Sequence, residues 1–148
     1  MTKPITALRL LKVGDIMHKD VITIEGSAPV AEAIRIMQEK HISSLVVKRR
    51  NEDDAYGIVT ERDILSKVID PGPNVSLDIW NIQVHEIMTK PAISVYPEMR
   101  LKYCLRLMRR SRIRRVLILE GQQLAGILTE SDVLERINTE RPEEEVAL

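Results

Sequence analysis

Apolar positions along the chain alternate between two periods. Val30, Ala33, Ile34 and Met37 recur at i, i+3, i+4 and i+7, and Leu101, Cys104, Leu105 and Met108 repeat that spacing 71 residues later. Each set marks one apolar stripe on an amphipathic helix, with Ser27 and Pro29 opening the first helix and Pro97 the second. Short β-branched runs precede both, Val21-Ile22-Thr23-Ile24 and Ala92-Ile93-Ser94-Val95. Fully apolar runs follow both, Ser44-Leu45-Val46-Val47 and Val116-Leu117-Ile118-Leu119, and read as buried strands. A further strand and a closing helix complete each copy, the helices carrying Ile64, Leu65 and Val68 in one and Val133, Leu134 and Ile137 in the other.

The chain is therefore an internal repeat. Val13-Gly14-Asp15-Ile16-Met17 returns as Val84-His85-Glu86-Ile87-Met88, and Gly57-Ile58-Val59-Thr60-Glu61-Arg62-Asp63 returns as Gly126-Ile127-Leu128-Thr129-Glu130-Ser131-Asp132. Each half reads strand, helix, strand, strand, helix, which places the chain in the α/β class. The halves span 8–70 and 79–139, with an acidic tail at 140–148. Pro71-Gly72-Pro73-Asn74 reads as the linker between them. A unit of that size is marginal alone, so the two β-α-β-β-α copies are expected to pack sheet to sheet about a pseudo-twofold axis. Arg49-Arg50-Asn51-Glu52-Asp53-Asp54 reads as a solvated hairpin end, and Trp80 as a packing anchor.

The seven-residue motif admits two readings. Thr-x-x-Asp ahead of an apolar run is a capping box, with Asp in place of Glu or Gln. The same geometry leaves free N–H groups at a helix start and a carboxylate able to accept the hydroxyls of a ribose.

Composition narrows the function. Net charge is zero, aromatic residues make up 3% and Phe is absent, which argues against a dedicated nucleic-acid or membrane-surface binder. The single cysteine, Cys104, excludes an internal disulfide framework and sits on an apolar stripe as a packing residue. His18, His41 and His85 show no metal-ligand spacing, and no Gly-rich phosphate loop occurs, so no catalytic or metal site is assigned. No apolar run reaches membrane-spanning length and the first residues lack a signal-peptide core, which makes a reducing cytoplasm the expected location.

The order of these features, twice over, resembles a tandem pair of cystathionine-β-synthase-type repeats, or CBS domains, together a Bateman module. The features that carry the resemblance are Asp/Glu-Ile-Met, the β-branched strand, the Met-ended helix, the apolar strand and Gly-φ-φ-Thr-Glu-x-Asp, where φ is apolar, over roughly Val13 to Asn138. The resemblance implies a stand-alone regulatory module that binds AMP, ADP, ATP or a related adenosyl ligand, without catalysis. It implies a homodimer signalling to an effector protein in trans. It further implies two composite clefts. One would combine Thr60, Arg62 and Asp63 with Thr89, Ala92, Ile93, Arg112, Ile113 and Arg114. The other would combine Thr129, Ser131 and Asp132 with His18, Val21, Ile22, His41, Ile42 and Ser43. Ile22 or Ile93 would cover the adenine face, Asp63 or Asp132 would take the ribose hydroxyls, and Thr or Ser hydroxyls would reach phosphate.

Because His18 stands where the other copy has Thr89, and Ser43 where it has Arg114, the clefts are expected to bind unequally. Arg112 and Arg114, alternating on an extended segment, would point to one side and favour phosphate together with Arg62. Two alternatives stand beside this reading. One is a ligand-free dimerisation or protein-interaction module. The other is a nucleic-acid binder acting through the Arg106–Arg115 cluster, whose Arg106, Arg109 and Arg110 read as a solvated helix face.

Overall fold

A computed structural model describes residues 4–70, 72 and 78–141. The linker residues Pro71, Pro73 and Asn74 and most of the acidic tail lie outside the described residues. Two compact units are present, one formed by Asp20–Ile93, the other by the segment ending at Lys19 together with the segment from Ser94 onward.

The Asp20–Ile93 unit holds β1 (Thr23–Ile24), α2 (Val30–Lys40), β2 (Ser44–Val47), β3 (Gly57–Thr60) and α3 (Glu61–Ile64). An N-terminal helix, α1 (Ile5–Arg9), belongs to the other unit, with β4 (Ser94–Val95), α4 (Leu101–Ser111), β5 (Arg115–Glu120), β6 (Gln123–Thr129) and α5 (Glu130–Glu135). Each unit has one three-stranded sheet, β1-β2-β3 and β4-β5-β6, with its first pair parallel and its second antiparallel. Parallel neighbours need a crossover, and the amphipathic helix between them supplies it. Ser44 pairs with Thr60 and Arg115 with Thr129, so each antiparallel ladder delivers its Thr to the end of the sheet.

The expected stripes are the observed cores. Val30, Ala33 and Met37 are buried with Leu45, Val47, Val59, Ile64 and Val68 in one unit, and Leu101, Cys104 and Met108 with Val116, Ile118, Leu128 and Val133 in the other. Each Val, Leu, Ile or Met among them contributes about 1.5–3 kcal/mol by leaving water.

Several expectations are corrected. The leading strands are two residues long: β1 begins at Thr23 and β4 at Ser94, where the register with the central strand begins. Pro97 does not open α4; Arg100 is its N-cap residue, and the Pro97 carbonyl instead accepts the Gly14 N–H at 2.9 Å. Trp80 is 72% exposed and anchors nothing. Its backbone N–H donates to Asp78 Oδ1 at 3.0 Å in a side-chain-closed turn, and the nearby Ile79 and Ile82 pack on the core instead. Leu65 and Leu134 face solvent rather than the core. Beyond Ile64 the first closing helix widens into a π-turn over Leu65–Ile69 that still buries Val68.

The lead-in segments are exchanged. Residues before the first repeat's opening strand pair with the second repeat: Val13 N–H donates to the Met99 carbonyl at 2.8 Å and Leu101 N–H to the Leu11 carbonyl at 2.8 Å. In the other unit Val84 N–H donates to the Ala28 carbonyl at 2.8 Å and Val30 N–H to the Ile82 carbonyl at 2.8 Å. Val13, Ile16, Val84 and Ile87 are buried by this exchange.

Candidate functional site

Both Thr-x-x-Asp motifs sit where an antiparallel strand runs into a short helix, as their residue types require. In the Asp20–Ile93 unit, Thr60 has extended dihedrals and caps α3; its Oγ1 accepts the Asp63 N–H at 3.2 Å, and its N–H donates to Asp63 Oδ2 at 2.9 Å. In the other unit Thr129 caps α5 in the same way, its N–H donating to Asp132 Oδ2 at 2.8 Å. The capping-box reading is therefore correct for both copies. It does not displace the ligand reading, because each box uses only one carboxylate oxygen.

The second oxygens face different partners. Asp63 Oδ1 lies 3.2 Å from Lys67 Nζ, one helical turn on, and that ammonium also donates to the Ile87 carbonyl at 2.9 Å. Asp132 Oδ1 lies 2.6 Å from His18 Nε2. Asp132 is the one buried acidic residue among those described, at 8% exposure.

Each motif is flanked by an exchanged lead-in. The Thr89 N–H and carbonyl pair with Ile58 at 2.9 Å each way, and the Ala92 N–H donates to the Tyr56 carbonyl at 2.8 Å. His18 pairs with Ile127 likewise, at 2.9 and 3.0 Å. The structure thus brings Thr60, Arg62, Asp63, Thr89, Ala92 and Ile93 into one unit, together with Val21, Ile22, His41, Ile42 and Ser43. It brings His18, Thr129, Ser131 and Asp132 into the other, with Arg112, Ile113 and Arg114. Ile93 is an apolar side chain left 38% exposed.

One expected arrangement fails. Arg112 is the left-handed C-cap of α4, with φ 54°, so it does not alternate with Arg114 on an extended segment. The helix ends there, and its last turn needs a left-handed residue to close. His41 caps α2 with the same φ of 54°. The helix face Arg106, Arg109 and Arg110 is exposed, as expected for a solvated face.

The loop 49–54 also differs from expectation. Asp54 turns inward, its side chain only 10% exposed, and takes Lys90 Nζ at 2.7 Å and Arg50 Nε at 3.1 Å on Oδ2. The Lys90 ammonium, with the backbone and guanidinium of Arg50, holds the Asp54 carboxyl far below the usual carboxylate range. This ties the loop to the lead-in that carries Thr89, Ala92 and Ile93. Lys67, Asp54 and Lys90 escape a reading of the sequence because none lies in a repeated motif. Among the described residues no group of three or more His, Cys, Asp or Glu side chains is placed to hold a metal ion, and no helix is long and apolar enough to cross a membrane.

The CBS-domain family model matches residues 13–70 and 84–139. The chain belongs to the CBS-domain family. A hexameric CBS-CP12 protein from bloom-forming cyanobacteria shares 43% identity over 86% of this chain and 68% of its own, with a TM-score of 0.79. An uncharacterized conserved protein from Pyrococcus horikoshii shares 34% identity over 93% of this chain and 98% of its own, with a TM-score of 0.74. An uncharacterized Methanopyrus kandleri protein is 33% identical over 86% of this chain and 63% of its own length. The chain thus spans less than two thirds of the first curated relatives it matches, 63%, 23% and 44% of their lengths. The CBS domain is a regulatory one, and both its copies here are intact across the motifs described above.

Proposed function

We propose that this CBS pair is a sensor of adenine nucleotides or a related adenosyl ligand, bound at its Thr-x-x-Asp motifs and signalled in trans to an effector protein. The observation that carries the reading is the division of labour within each carboxylate. Oδ2 is fixed by the cap, and Oδ1 is left to side chains that can move aside for the paired hydroxyls of a ribose. Beside Asp63, the exposed Ile93 offers an apolar face to a base, and the ammonium of Lys67 is available to phosphate. In this reading the carboxylates bind hydroxyls and no catalytic step is assigned to them. A homodimer in the cytoplasm is proposed with it; exposed Leu65 and Ile69, and Leu134, are apolar positions that a second copy would cover.

Calorimetric titration with AMP, ADP, ATP and S-adenosylmethionine, against GTP, tests the assignment. Binding of at least one adenine ligand is expected, with Asp63→Asn weakening its site by about 1.5–3 kcal/mol, the weight of a hydrogen bond to a charged group. Equal affinity for ATP and GTP, or unchanged binding in both Asp63→Asn and Asp132→Asn, refutes it.

A further inference from the structure

Asp63 and Asp132 are equivalent in sequence and in their caps, yet their outward oxygens are engaged differently. At Asp63 the partner is Lys67, on the same helix, with a long flexible stem and a second acceptor in the Ile87 carbonyl. Thr89, the lead-in residue of that unit, pairs with Ile58 through its backbone. At Asp132 the partner is the lead-in residue itself. The His18 ring sits on Oδ1 at 2.6 Å, and the other oxygen is already committed to the Thr129 N–H. Both oxygens of the buried carboxylate are thus taken by the protein.

We propose that His18 is a specificity-determining latch: its imidazole occupies the Asp132 oxygen that a ribose diol needs, so the second motif binds its ligand only by ejecting the ring. This rests on the nucleotide reading above and deepens it.

The surroundings fix which part of His18 moves. Its backbone is held to β6 by the two hydrogen bonds with Ile127. Gly126 is packed against it, with no room for a Cβ between that residue and the His18 carbonyl. The main chain therefore stays in place. The side chain, by contrast, is 61% exposed, so rotation about its own bonds carries the ring into solvent without disturbing the core. A Lys on a flexible stem yields at little loss and keeps its charge near the ligand. A ring bonded to a buried carboxylate must surrender that bond before a hydroxyl replaces it. The second motif is consequently the weaker site, and it selects ligands whose hydroxyl pair outcompetes an imidazole.

The test replaces His18 by Thr, the residue at the equivalent position of the other copy, in an Asp63→Asn background that leaves the second motif as the measured site. AMP and ATP are titrated by calorimetry, and the His18 ring nitrogens are followed by NMR in the Asp63→Asn parent. The latch requires His18→Thr to tighten binding roughly tenfold, the weight of one hydrogen bond to a charged group. It requires the His18 Nε2 resonance to move on AMP addition, and Asp132→Asn to abolish the gain. Unchanged or weaker binding in His18→Thr, with wild type still binding AMP, overturns the latch and leaves the nucleotide reading standing. Absence of AMP and ATP binding in wild type and every variant overturns the latch, and the nucleotide reading falls with it when ADP and S-adenosylmethionine also fail to bind wild type. Circular dichroism melting of each variant establishes that the comparison is made between folded proteins.

Discussion

Substituting alanine at the two motif glycines separates a tolerable contact from an intolerable one. A Cβ at Gly126 would lie 2.6 Å from Met17 Sδ, 2.9 Å from Met17 Cγ and 2.7 Å from the His18 carbonyl oxygen. That carbonyl cannot retreat freely, because it accepts the Ile127 N–H at 3.0 Å while the His18 N–H donates to Ile127 at 2.9 Å. Either the lead-in detaches, losing two hydrogen bonds at about 1 kcal/mol each, or β6 shifts in an overpacked core at about 1–3 kcal/mol. Gly126→Ala should therefore destabilise by about 2 kcal/mol. At Gly57 the close atom is Met88 Sδ at 2.7 Å, the tip of a flexible side chain, and the Thr89 carbonyl stands off at 3.3 Å. Gly57→Ala should cost only about 1 kcal/mol, since methionine yields by changing rotamer. Thermal melting resolves the two at about 2–4 °C per kcal/mol for a chain of this size. The expectation is a loss of roughly 4–8 °C for Gly126→Ala against roughly 2–4 °C for Gly57→Ala. Equal losses, or a larger one at Gly57, would show that the lead-ins are not held against β3 and β6 as described.

Two further perturbations test other parts of the structure. Asp54→Asn removes the anchor of Lys90, so it should lower the melting temperature at neutral pH. Because the folded Asp54 titrates below its ordinary value of about 3.9, its contribution is fully present above that pH and fades as pH falls below it, so the gap between wild type and variant should close under acid; a gap that widens instead refutes the pairing. Cys104 is fully buried, and burial pushes its thiol up to about 11, so thiol reagents near pH 8 should label it only at the rate of unfolding; immediate labelling in the native protein would place the thiol outside the core.

Much of the architecture was legible in the chain because it is local. The stripe Val30, Ala33, Met37 and its copy Leu101, Cys104, Met108 fall on one helical face by spacing alone, and both are buried. Thr60 and Thr129 cap helices because a Thr three residues before an Asp closes that box whatever surrounds it. The repeat, visible as Val13–Met17 against Val84–Met88, predicted the same element order in each copy, and the two sheets share one strand order.

What only the tertiary structure decided is which distant segment meets each local element. Repeats of like sequence have like apolar faces, so nothing in Val13 or Val84 says which copy will bury it. The hydrogen bonds of Val13 to Met99 and of Val84 to Ala28 decide that the lead-ins are exchanged. That exchange sets His18 on Asp132, 114 residues away, and Lys90 on Asp54, 36 residues away. It also explains the motif glycines, which make room for Met17, His18 and Met88. Trp80 and Arg112 depart from expectation for the same reason in reverse: a side chain's size or charge is written in the sequence. Whether a turn at Asp78 points the indole outward, or a helix end forces a left-handed backbone on the arginine, depends on where the neighbouring chain has already packed.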